Sequence, residues 1–386
     1  MAVDFALTAE QQEVQRLAHD FAVREMRPRA ADADEQEQLP WEIVERAAEA
    51  GLTGFGVPVE YGGRGLDAVS MALVSEELFW GDAGMATSIE ASQLAIEPLL
   101  IAGTDIQKKE FLPRLCDPRR PALAAFALTE QGTGSDVAGL RTTARSEGDS
   151  YIISGDKMFI SNGGIADFYT VWATLDRSAG YQGVVGFVVD ANTPGVSQGQ
   201  KLKKHGIRSS HTAEVIFEDV VVPTENRIGE EGRGFHVIME TLNQSRAGVA
   251  AGAVGIARAA FEDALRYAKS RKTFGKPLIA QQAISFMLAD MATKIQAGRN
   301  LYLRAAWLAA IGEPNSLESS MAKVFCGDMA MQVASDAVQI HGGYGYLREY
   351  PVERYLRDAK IMQIYEGTQQ IQRIVIAGNL VNLKSA

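Results

Sequence analysis

The sequence predicts an α+β protein built as an N-terminal α-helical domain, a middle antiparallel β-sheet or barrel domain, and a C-terminal four-helix bundle. Three observations predict this order. Apolar residues recur at helical spacing in the first third of the chain, β-branched and aromatic runs cut by Gly, Asn and Asp follow, and long apolar-periodic stretches then continue to the end. We place the domains at residues 1–120, 121–230 and 231–386.

The individual elements follow in chain order. A helix is predicted over residues 8–28, ended by Pro28, and further helices are predicted at about 41–51, 68–80, 92–102 and 105–115. Runs such as "GVVGFVVD" and "AEVIFEDVVVP" are typical of strands, and the absence of helical segments between them favours an antiparallel sheet. Three or four long helices make up the last part.

Small residues mark the first helix of the last part. Ala247, Gly248, Ala251, Gly252 and Gly255 follow one another at short intervals. Side chains of this size allow a neighbouring backbone or a flat ligand to approach closely. We therefore expect tight packing or a ligand along this stretch.

Composition excludes several classes of function. The 386 residues carry a net charge of −10, which disfavours a nucleic-acid partner. Two cysteines, Cys116 and Cys326, and five scattered histidines predict neither a disulfide framework nor a metal site. The N-terminus has no basic region before an apolar core, and no apolar run reaches the roughly 20 residues that span a bilayer. We expect a soluble protein of the bacterial cytoplasm or an organelle matrix, without a signal peptide.

The glycine-rich segments do not match the common cofactor and catalytic motifs. The stretches that begin at Gly132, Gly232 and Gly342 lack the third glycine of G-x-G-x-x-G, and Pro277 stands where a P-loop requires Ser or Thr. No H-E-x-x-H or G-x-S-x-G is present. A Rossmann dehydrogenase, a P-loop ATPase, a zinc enzyme and an α/β hydrolase are therefore disfavoured.

Five motifs occur together in this chain: "ALTEQGTGSDVAG" (127–139), "MFISNGG" (158–164), "RKTFGKP" (271–277), "QIHGGYGYLREYPVERYLRD" (339–358) and "IYEGTQQIQR" (364–373). In this order and at these spacings they resemble the acyl-CoA dehydrogenase family, most closely its medium-chain and short-chain straight-acyl members. The resemblance implies FAD, an acyl-CoA substrate, a trans-2-enoyl-CoA product and electron transfer to an electron-transfer flavoprotein. It also implies a homotetramer arranged as a dimer of dimers.

The same resemblance implies residue roles. Phe159 would lie against the flavin edge and Ser161 at N5, where the family often has Trp and Thr. Arg271, Thr273 and Phe274 would reach across a subunit interface to the partner's FAD, so that FAD binding would require oligomerisation; a cation at the negative end of a helix is the other interpretation of Arg271. The full set of implied cofactor contacts is Phe126, Leu128, Thr129, Gly134, Ser135, Phe159, Ser161, Arg271, Thr273, Phe274, Gln282, Gln339, Gly342, Gly343, Thr368 and Gln370. The implied substrate contacts are Ser135, Asn243, Arg246, Tyr365, Gly367 and Glu90, the last toward the closed end of the acyl pocket.

The family places its catalytic base at one of two locations. This chain has Ser245 at one and Glu366 at the other, which leaves Glu366 as the candidate. As a charge beside the helix start at Thr368, Glu366 would have a lowered pKa and a structural role. As a desolvated base it would have a raised pKa, and the neighbouring sequence contains no cation to oppose that rise. Gly367 would let its backbone N–H approach the thioester oxygen.

Other functions remain open at this point. One is a branched-chain or secondary-metabolic member that acts on another acyl thioester, including one held on a carrier protein. A second is a non-catalytic protein of the same fold that binds nucleic acid or a partner, against which the net charge and Glu366 both count. An oxidase that uses O₂ is a further alternative.

Overall fold

A computed structural model describes residues 6–381, and the first part of the chain is helical. Thr8 starts the first helix with a capping box: its hydroxyl accepts from the Gln11 N–H at 3.2 Å, and its own N–H donates to Gln11 Oε1 at 3.0 Å. Asp82 caps a later helix in a similar way through the Met85 N–H, 2.9 Å away. Helices α1 to α6 are Ala9–Phe21, Ala30–Gln36, Trp41–Glu49, Ala68–Gly81, Ala83–Ala102 and Asp105–Phe111.

Two predicted helix limits in this part are wrong. Pro28 does not end the helical segment, because α1 continues through a π-helical turn, Ala22–Met26, and a 3-10 turn, Arg27–Arg29, into α2. Pro28 lies near the start of that 3-10 turn, where a proline is tolerated. The helix predicted from residue 92 begins at Ala83, because Asp82 provides a cap that the apolar pattern does not reveal.

The middle part forms a twisted eight-stranded sheet. Strands β1 to β8 are Ala124–Ala127, Thr143–Glu147, Ser150–Ser161, Phe168–Thr174, Val184–Asp190, Val196–Lys201, Thr212–Pro223 and Arg227–Ile228. Their order is β6-β7-β3-β2-β4-β5-β8, with β1 added beside β4. The predicted antiparallel pairing holds for most of the sheet, but β4 pairs in parallel with β1 and with β2. These two exceptions connect strands that are not joined by a tight turn.

The last part consists of long helices and one short hairpin. Helices α7 to α11 are Gly234–Ser270, Gln282–Ala310, Ser316–His341, Val352–Ala359 and Gln369–Leu380. The hairpin between α7 and α8 consists of β9, Lys272–Thr273, and β10, Lys276–Pro277. No helix within residues 6–381 has an apolar stretch long enough to cross a bilayer.

Helices from the first and last parts share one apolar core, in which α4 packs against α7. The small residues of α7 make this contact possible. A Cβ added at Gly255 would lie 2.3 Å from the Glu76 carbonyl oxygen, and one at Gly252 would lie 2.8 Å from the Phe79 ring. Of the two predicted reasons for these small residues, the close approach of a neighbouring backbone is confirmed at Gly255. This packing brings α4, α5, α7 and α9 around the segment that precedes α11.

Candidate active site

Glu366 lies on a left-handed turn immediately before α11. Its φ is 50°, and that of Gly367 is 91°, so two consecutive residues adopt a conformation that side chains disfavour. Thr368 then caps α11 by accepting the Ile371 N–H at 3.2 Å, as the sequence predicts. A non-glycine residue held at positive φ costs energy, and such strain is concentrated at functional positions. The strain therefore marks the Glu366 turn as a candidate functional position.

The Glu366 carboxylate accepts a hydrogen bond from the Ser245 hydroxyl of α7. The two positions at which the family resemblance places a base are thus in direct contact, and this chain has its acid at one and a hydroxyl donor at the other. Burial raises the pKa of the Glu366 carboxyl, while the Ser245 hydrogen bond and the charges of Lys323 and Arg246 oppose part of the rise. The desolvated interpretation of Glu366 is the one that agrees with this environment.

The expectation that no cation opposes this rise is wrong. Arg246 on α7 and Lys323 on α9 both act on the Glu366 carboxyl, although they are far from it in the sequence. Burial lowers the pKa of the Arg246 guanidinium to about 10 and that of the Lys323 ammonium to about 8, and Glu366 opposes both shifts. The sequence next to Glu366 could not reveal these cations, since tertiary packing brings them there.

Gly367 presents its two backbone groups differently. Its carbonyl accepts from Lys323 Nζ at 2.6 Å and from Gln372 Nε2 at 3.5 Å. Its N–H has no acceptor among residues 6–381. A free N–H beside a partly buried carboxylate is a donor suited to a ligand oxygen.

Glu90 on α5 is a second carboxylate close to this turn. The Ser75 hydroxyl of α4 donates to it at 2.7 Å. Burial raises the pKa of the Glu90 carboxyl to about 7, with a further rise from the Glu366 charge and an opposing effect of Ser75. The pKa of the Tyr365 phenol is likewise raised by burial and by the charges of Glu366 and Glu90. These three side chains therefore lie close enough to influence one another's ionisation.

Arg246 is buried, with 4% of its surface exposed, and donates through Nη1 to the Asn243 side-chain oxygen. Its Nε has no partner in the described part of the chain. A buried guanidinium nitrogen without an acceptor is unfavourable unless a ligand supplies one. The pair therefore has unused capacity for a polar ligand group at the edge of the Glu366 site.

The segment after β1 is organised by a buried ion pair. Lys157 Nζ donates to the Leu128 carbonyl at 3.0 Å and to Glu130 Oε1 at 2.8 Å, and the Met158 N–H donates to the Thr129 carbonyl at 2.8 Å. These bonds attach the residues after β1 to β3. The sequence offered Lys157 as a signal, because a lysine interrupts an otherwise strand-like run, but its role is visible only in the structure.

Beyond this segment the backbone is open. Gly134 and Ser135 are exposed, and a Cβ added at Gly134 would meet no atom within 4 Å. Phe159, at the end of β3, has a φ of 62° and is 63% exposed, and Ser161 follows it at partial burial. An exposed aromatic ring on a left-handed residue is a surface available to a flat ligand.

Strand β4, which pairs with β1, adds buried donors that have no hydrogen-bond partner in the described part of the chain. Phe126 is paired in register with Thr170, and its ring lies 6.0 Å from that of Trp172. Within residues 6–381, Thr170 Oγ1 and Trp172 Nε1 are buried without a hydrogen-bond partner. An aromatic surface with open backbone and unpaired polar atoms fits a flavin and its phosphates, so these residues could hold FAD.

A separate cluster lies at the β9–β10 hairpin. Phe274 at its tip has a φ of 50° and is 95% exposed, while Thr273 Oγ1 is buried without a partner in the described residues. At the end of α7, the Arg271 N–H donates to the Tyr267 carbonyl at 2.8 Å. The Arg271 guanidinium lies 5.6 Å from the centre of the Tyr344 ring. That contact brings the hairpin to the segment after α9.

Most other members of the predicted cofactor set are on the surface. Gln282, Gln339, Gly342, Gly343 and Gln370 are exposed. No hydrogen bond among residues 6–381 joins the hairpin to the Glu366 turn. The predicted site residues at the hairpin therefore form a group separate from those around the Glu366 turn. No group of three His, Cys, Asp or Glu side chains that could hold a metal ion occurs within the described residues.

The sequence motifs did not identify Lys323 or Ser75 as site residues. Lys323 interrupts the apolar pattern of "SSMAKVFC" on α9, and a lysine at a buried helical position is a signal that helical periodicity could have detected. Ser75 has no comparable signal, because a serine inside a helix is common. Its position opposite Glu90 depends on how α4 packs on α5.

Comparison with known proteins identifies three family domains in this chain. The acyl-CoA dehydrogenase N-terminal domain matches residues 8–118, the middle domain residues 125–220 and the C-terminal domain residues 232–381. An acyl-CoA dehydrogenase of Bacillus subtilis is 45% identical over 377 residues, which are 97% of this chain and 99% of the relative.

Solved structures agree over the whole fold. Butyryl-CoA dehydrogenase from Megasphaera elsdenii superposes with a TM-score of 0.95 at 44% identity, covering 98% of this chain and 100% of the other. A chain from a structure described as the electron transferring flavoprotein of Acidaminococcus fermentans superposes with a TM-score of 0.96 at 44% identity, covering 99% and 100%.

Proposed function

Because the chain belongs to the acyl-CoA dehydrogenase family, we propose that it converts a short straight-chain acyl-CoA to the trans-2-enoyl-CoA, with Glu366 as the base that removes the α-proton. The enzyme is an FAD-dependent oxidoreductase that acts on acyl-CoA. The preference for a short chain is supported by the similarity to butyryl-CoA dehydrogenase of Megasphaera elsdenii. Glu366 is supported by one observation above all: its carboxylate is held by Ser245 on a turn of positive φ whose carbonyl groups are bound by Gln372 and Lys323.

The chain's residues would divide the work as follows. Glu366 takes the α-proton. Burial favours this step because it raises the pKa of the carboxyl and so makes the carboxylate a stronger base. The free Gly367 N–H binds the thioester oxygen, on which negative charge develops as the proton leaves. Arg246 and Asn243 bind the CoA part, and Glu90 and Tyr365 line the acyl end, with Ser135 at the pantetheine arm.

FAD, when bound, accepts the hydride that leaves Cβ. Phe126, Leu128, Thr129, Gly134, Ser135, Phe159 and Ser161 would hold its flavin end and pyrophosphate. The ion pair of Lys157 and Glu130 keeps the Leu128 and Thr129 carbonyls in place, so these strands present a fixed surface. Close positioning of the acyl chain between this surface and Glu366 excludes water and orients the Cα–Cβ bond.

The hairpin residues would complete the FAD site of a neighbouring subunit. Arg271, Thr273 and Phe274 bind the diphosphate and adenine of the partner's FAD, helped by Gln282, Gln339, Gly342 and Gly343, and the active form is a homotetramer. A guanidinium matches two phosphate oxygens at once, which suits Arg271 to this role. Electrons then pass to an electron-transfer flavoprotein, in keeping with the similarity to the Acidaminococcus fermentans structure.

The test of the base is Glu366→Gln. We expect this variant to retain FAD but to lose bleaching of the flavin by butyryl-CoA under anaerobic conditions, with the rate reduced by about 10²-fold to 10⁴-fold. Glu313→Gln, which changes an exposed carboxylate between α8 and α9, is the matched control and should reduce flavin normally. Normal bleaching in Glu366→Gln would disprove the assignment.

The chain-length proposal needs a separate experiment. Anaerobic flavin reduction across saturated acyl-CoAs of increasing length and branching should be fastest with short straight chains. A clear preference for a branched acyl-CoA, or for a carrier-protein thioester, would replace the short-chain proposal with the alternative of a branched-chain or secondary-metabolic enzyme.

A further inference from the structure

Lys323 is a buried lysine whose ammonium group faces the turn before α11. It is 1% exposed, and its Nζ lies 2.6 Å from the Gly367 carbonyl oxygen, its one hydrogen-bond partner among residues 6–381. Burying an ammonium group costs free energy unless the charge is compensated. An apolar residue would fill the same place in α9 without that cost, so packing alone does not account for a lysine.

The carbonyl that Lys323 binds belongs to a strained turn. Glu366 and Gly367 both have positive φ, at 50° and 91°, and no regular backbone hydrogen bond maintains them. Two side chains hold the carbonyl groups of this turn instead. Gln372 Nε2 binds the Glu366 carbonyl at 3.1 Å from the side of α11, and Lys323 binds the next carbonyl from α9. Lys323 is thus one of the two side chains that hold the backbone of the turn that carries Glu366.

Charged groups surround the pair of Lys323 and Glu366 on each neighbouring helix. The charge of Arg246 on α7 lowers the pKa of both the Glu366 carboxyl and the Lys323 ammonium. Asp328 on α9 has the opposite effect on Lys323. On the side of α5, Glu90 is close enough to Glu366 for the two charges to interact.

The net effect of Lys323 on Glu366 has a definite sign. Its positive charge lowers the pKa of the Glu366 carboxyl, against the rise that burial causes. A lower pKa keeps more of Glu366 in the ionised form near neutral pH, and only the ionised form can accept a proton. Hydrogen bond and charge thus favour the same state of the same group.

We infer that Lys323 is a positioning residue for the reaction: it holds the Gly367 carbonyl so that the Glu366 carboxylate faces the acyl chain, and its charge keeps that carboxylate ready to accept a proton. This inference rests on the proposed role of Glu366 as the base. Lys323 does not itself contact the reacting atoms. A purely structural role, in which Lys323 only supports the fold, predicts a different set of results.

Two variants separate the hydrogen bond from the charge. Lys323→Met removes both, and Lys323→Gln removes the charge but keeps a side-chain donor. In anaerobic flavin reduction by butyryl-CoA, we expect both variants to shift the acid limb of the pH profile to higher pH, because Glu366 loses a stabilising cation. Only Lys323→Met should also lose about tenfold in the limiting rate at high pH, with little change in the butyryl-CoA concentration at half-saturation.

The controls distinguish this inference from its premise. Lys360→Met removes an exposed lysine six residues before Glu366 and should leave the pH profile unchanged. FAD content measured in each variant establishes that the protein is folded. If Lys323→Met does not fold, the pH profile of Lys323→Gln still tests the inference. Wild-type pH profiles and limiting rates in both Lys323 variants would overturn the inference, whereas bleaching in Glu366→Gln would overturn the proposed function instead.

Discussion

The Glu366 turn and the β9–β10 hairpin are both parts of the predicted site, yet they are built in opposite ways. The Glu366 carboxylate accepts a hydrogen bond from Ser245 of its own chain, and the charges of Lys323 and Arg246 of the same chain act on it. Phe274 at the tip of the hairpin is 95% exposed, and the Thr273 hydroxyl beside it is buried without a partner in the described part of the chain. The groups that act on the Glu366 carboxylate come from the same chain, whereas the side chains of the hairpin have few contacts within it.

This difference indicates what each region requires. A base must have its pKa and orientation set before the substrate arrives, so its supporting contacts have to be permanent. A hairpin that binds a cofactor held mainly by another subunit gains its contacts only on assembly. Exposed aromatic rings and unpaired polar atoms are common at surfaces that become interfaces. Removal of a key contact should therefore impair chemistry in the first region and cofactor retention in the second.

The largest effect is expected from Gly367→Ala. An added Cβ would lie 2.3 Å from Gln372 Nε2, so the Gln372 side chain must move and lose its bond to the Glu366 carbonyl, and the φ of 91° is unfavourable for alanine. We expect flavin reduction by butyryl-CoA to fall by about 100-fold, since a small displacement of a catalytic group has effects of that order. FAD content should remain normal, because the change leaves the residues after β1 untouched.

Gly312→Ala is the matched control for that variant. Gly312 also has a positive φ, at 74°, but no atom lies within 4 Å of an added Cβ, and the residue is in the loop after α8. Both variants carry a similar backbone cost, so their losses of thermal stability should be alike. Equal losses of activity in the two would show that backbone strain, rather than the position of Glu366, explains the result.

A smaller effect is expected from Arg271→Ala. Loss of a charge-assisted contact to a diphosphate should weaken FAD retention by about tenfold, and the loss should be most evident on dilution. Flavin that remains bound should still be reduced at the normal rate by butyryl-CoA. FAD release during gel filtration at decreasing protein concentration measures this effect.

Arg266→Ala tests the specificity of that result. Arg266 is one turn earlier on α7, is exposed and pairs with Asp263, so its loss removes a surface charge of the same kind. Unchanged FAD retention in this variant is expected. If Arg271→Ala instead retained FAD normally and lost only helical stability, Arg271 would act solely as the cation at the end of α7.

The sequence predicts the local features of both regions and misses the non-local ones. Thr368 as a helix cap and the strand-like runs of the middle part follow from residue type and spacing, and the structure agrees. The cations beside Glu366 could not be predicted, because Arg246 and Lys323 are 120 and 43 positions away in the chain. The parallel pairing of β1 with β4 is non-local in the same way. The predicted helix end at Pro28 is wrong because a proline near the start of a 3-10 turn does not interrupt a helical path.

The smallest effect is expected from replacing either of two carboxylates on α5 with an amide. Glu90 and Glu97 each have a pKa raised to about 7, mainly by burial; the Glu366 charge contributes to the rise at Glu90, and the Glu240 charge contributes at Glu97. A carboxyl whose folded-state pKa is raised binds its proton more tightly in the folded protein. Stability is therefore lost as the pH rises from about 4.5 to about 7 and is not recovered above that.

Replacement of either residue by glutamine removes this loss. Glu90→Gln and Glu97→Gln should each raise the unfolding temperature at pH 8.5 by about 2 to 4 °C relative to the wild type, and by less at pH 5. Their effects on substrate binding should differ. In the wild type, ionised Glu90 introduces a charge beside the acyl chain, so half-saturation by butyryl-CoA should require more substrate above pH 7. Glu90→Gln should abolish this rise, and Glu97→Gln should keep it.

The Glu90→Gln and Glu97→Gln variants thus test whether the site around Glu366 extends to α5. If both variants gain stability at high pH but neither changes the pH dependence of half-saturation, Glu90 is buried without facing the acyl chain, and the region ends at Ser245, Arg246 and Lys323. If only Glu90→Gln changes it, α5 belongs to the same pre-assembled site. The chain would then hold both the base and the acyl end in advance, and only the hairpin would depend on a second copy.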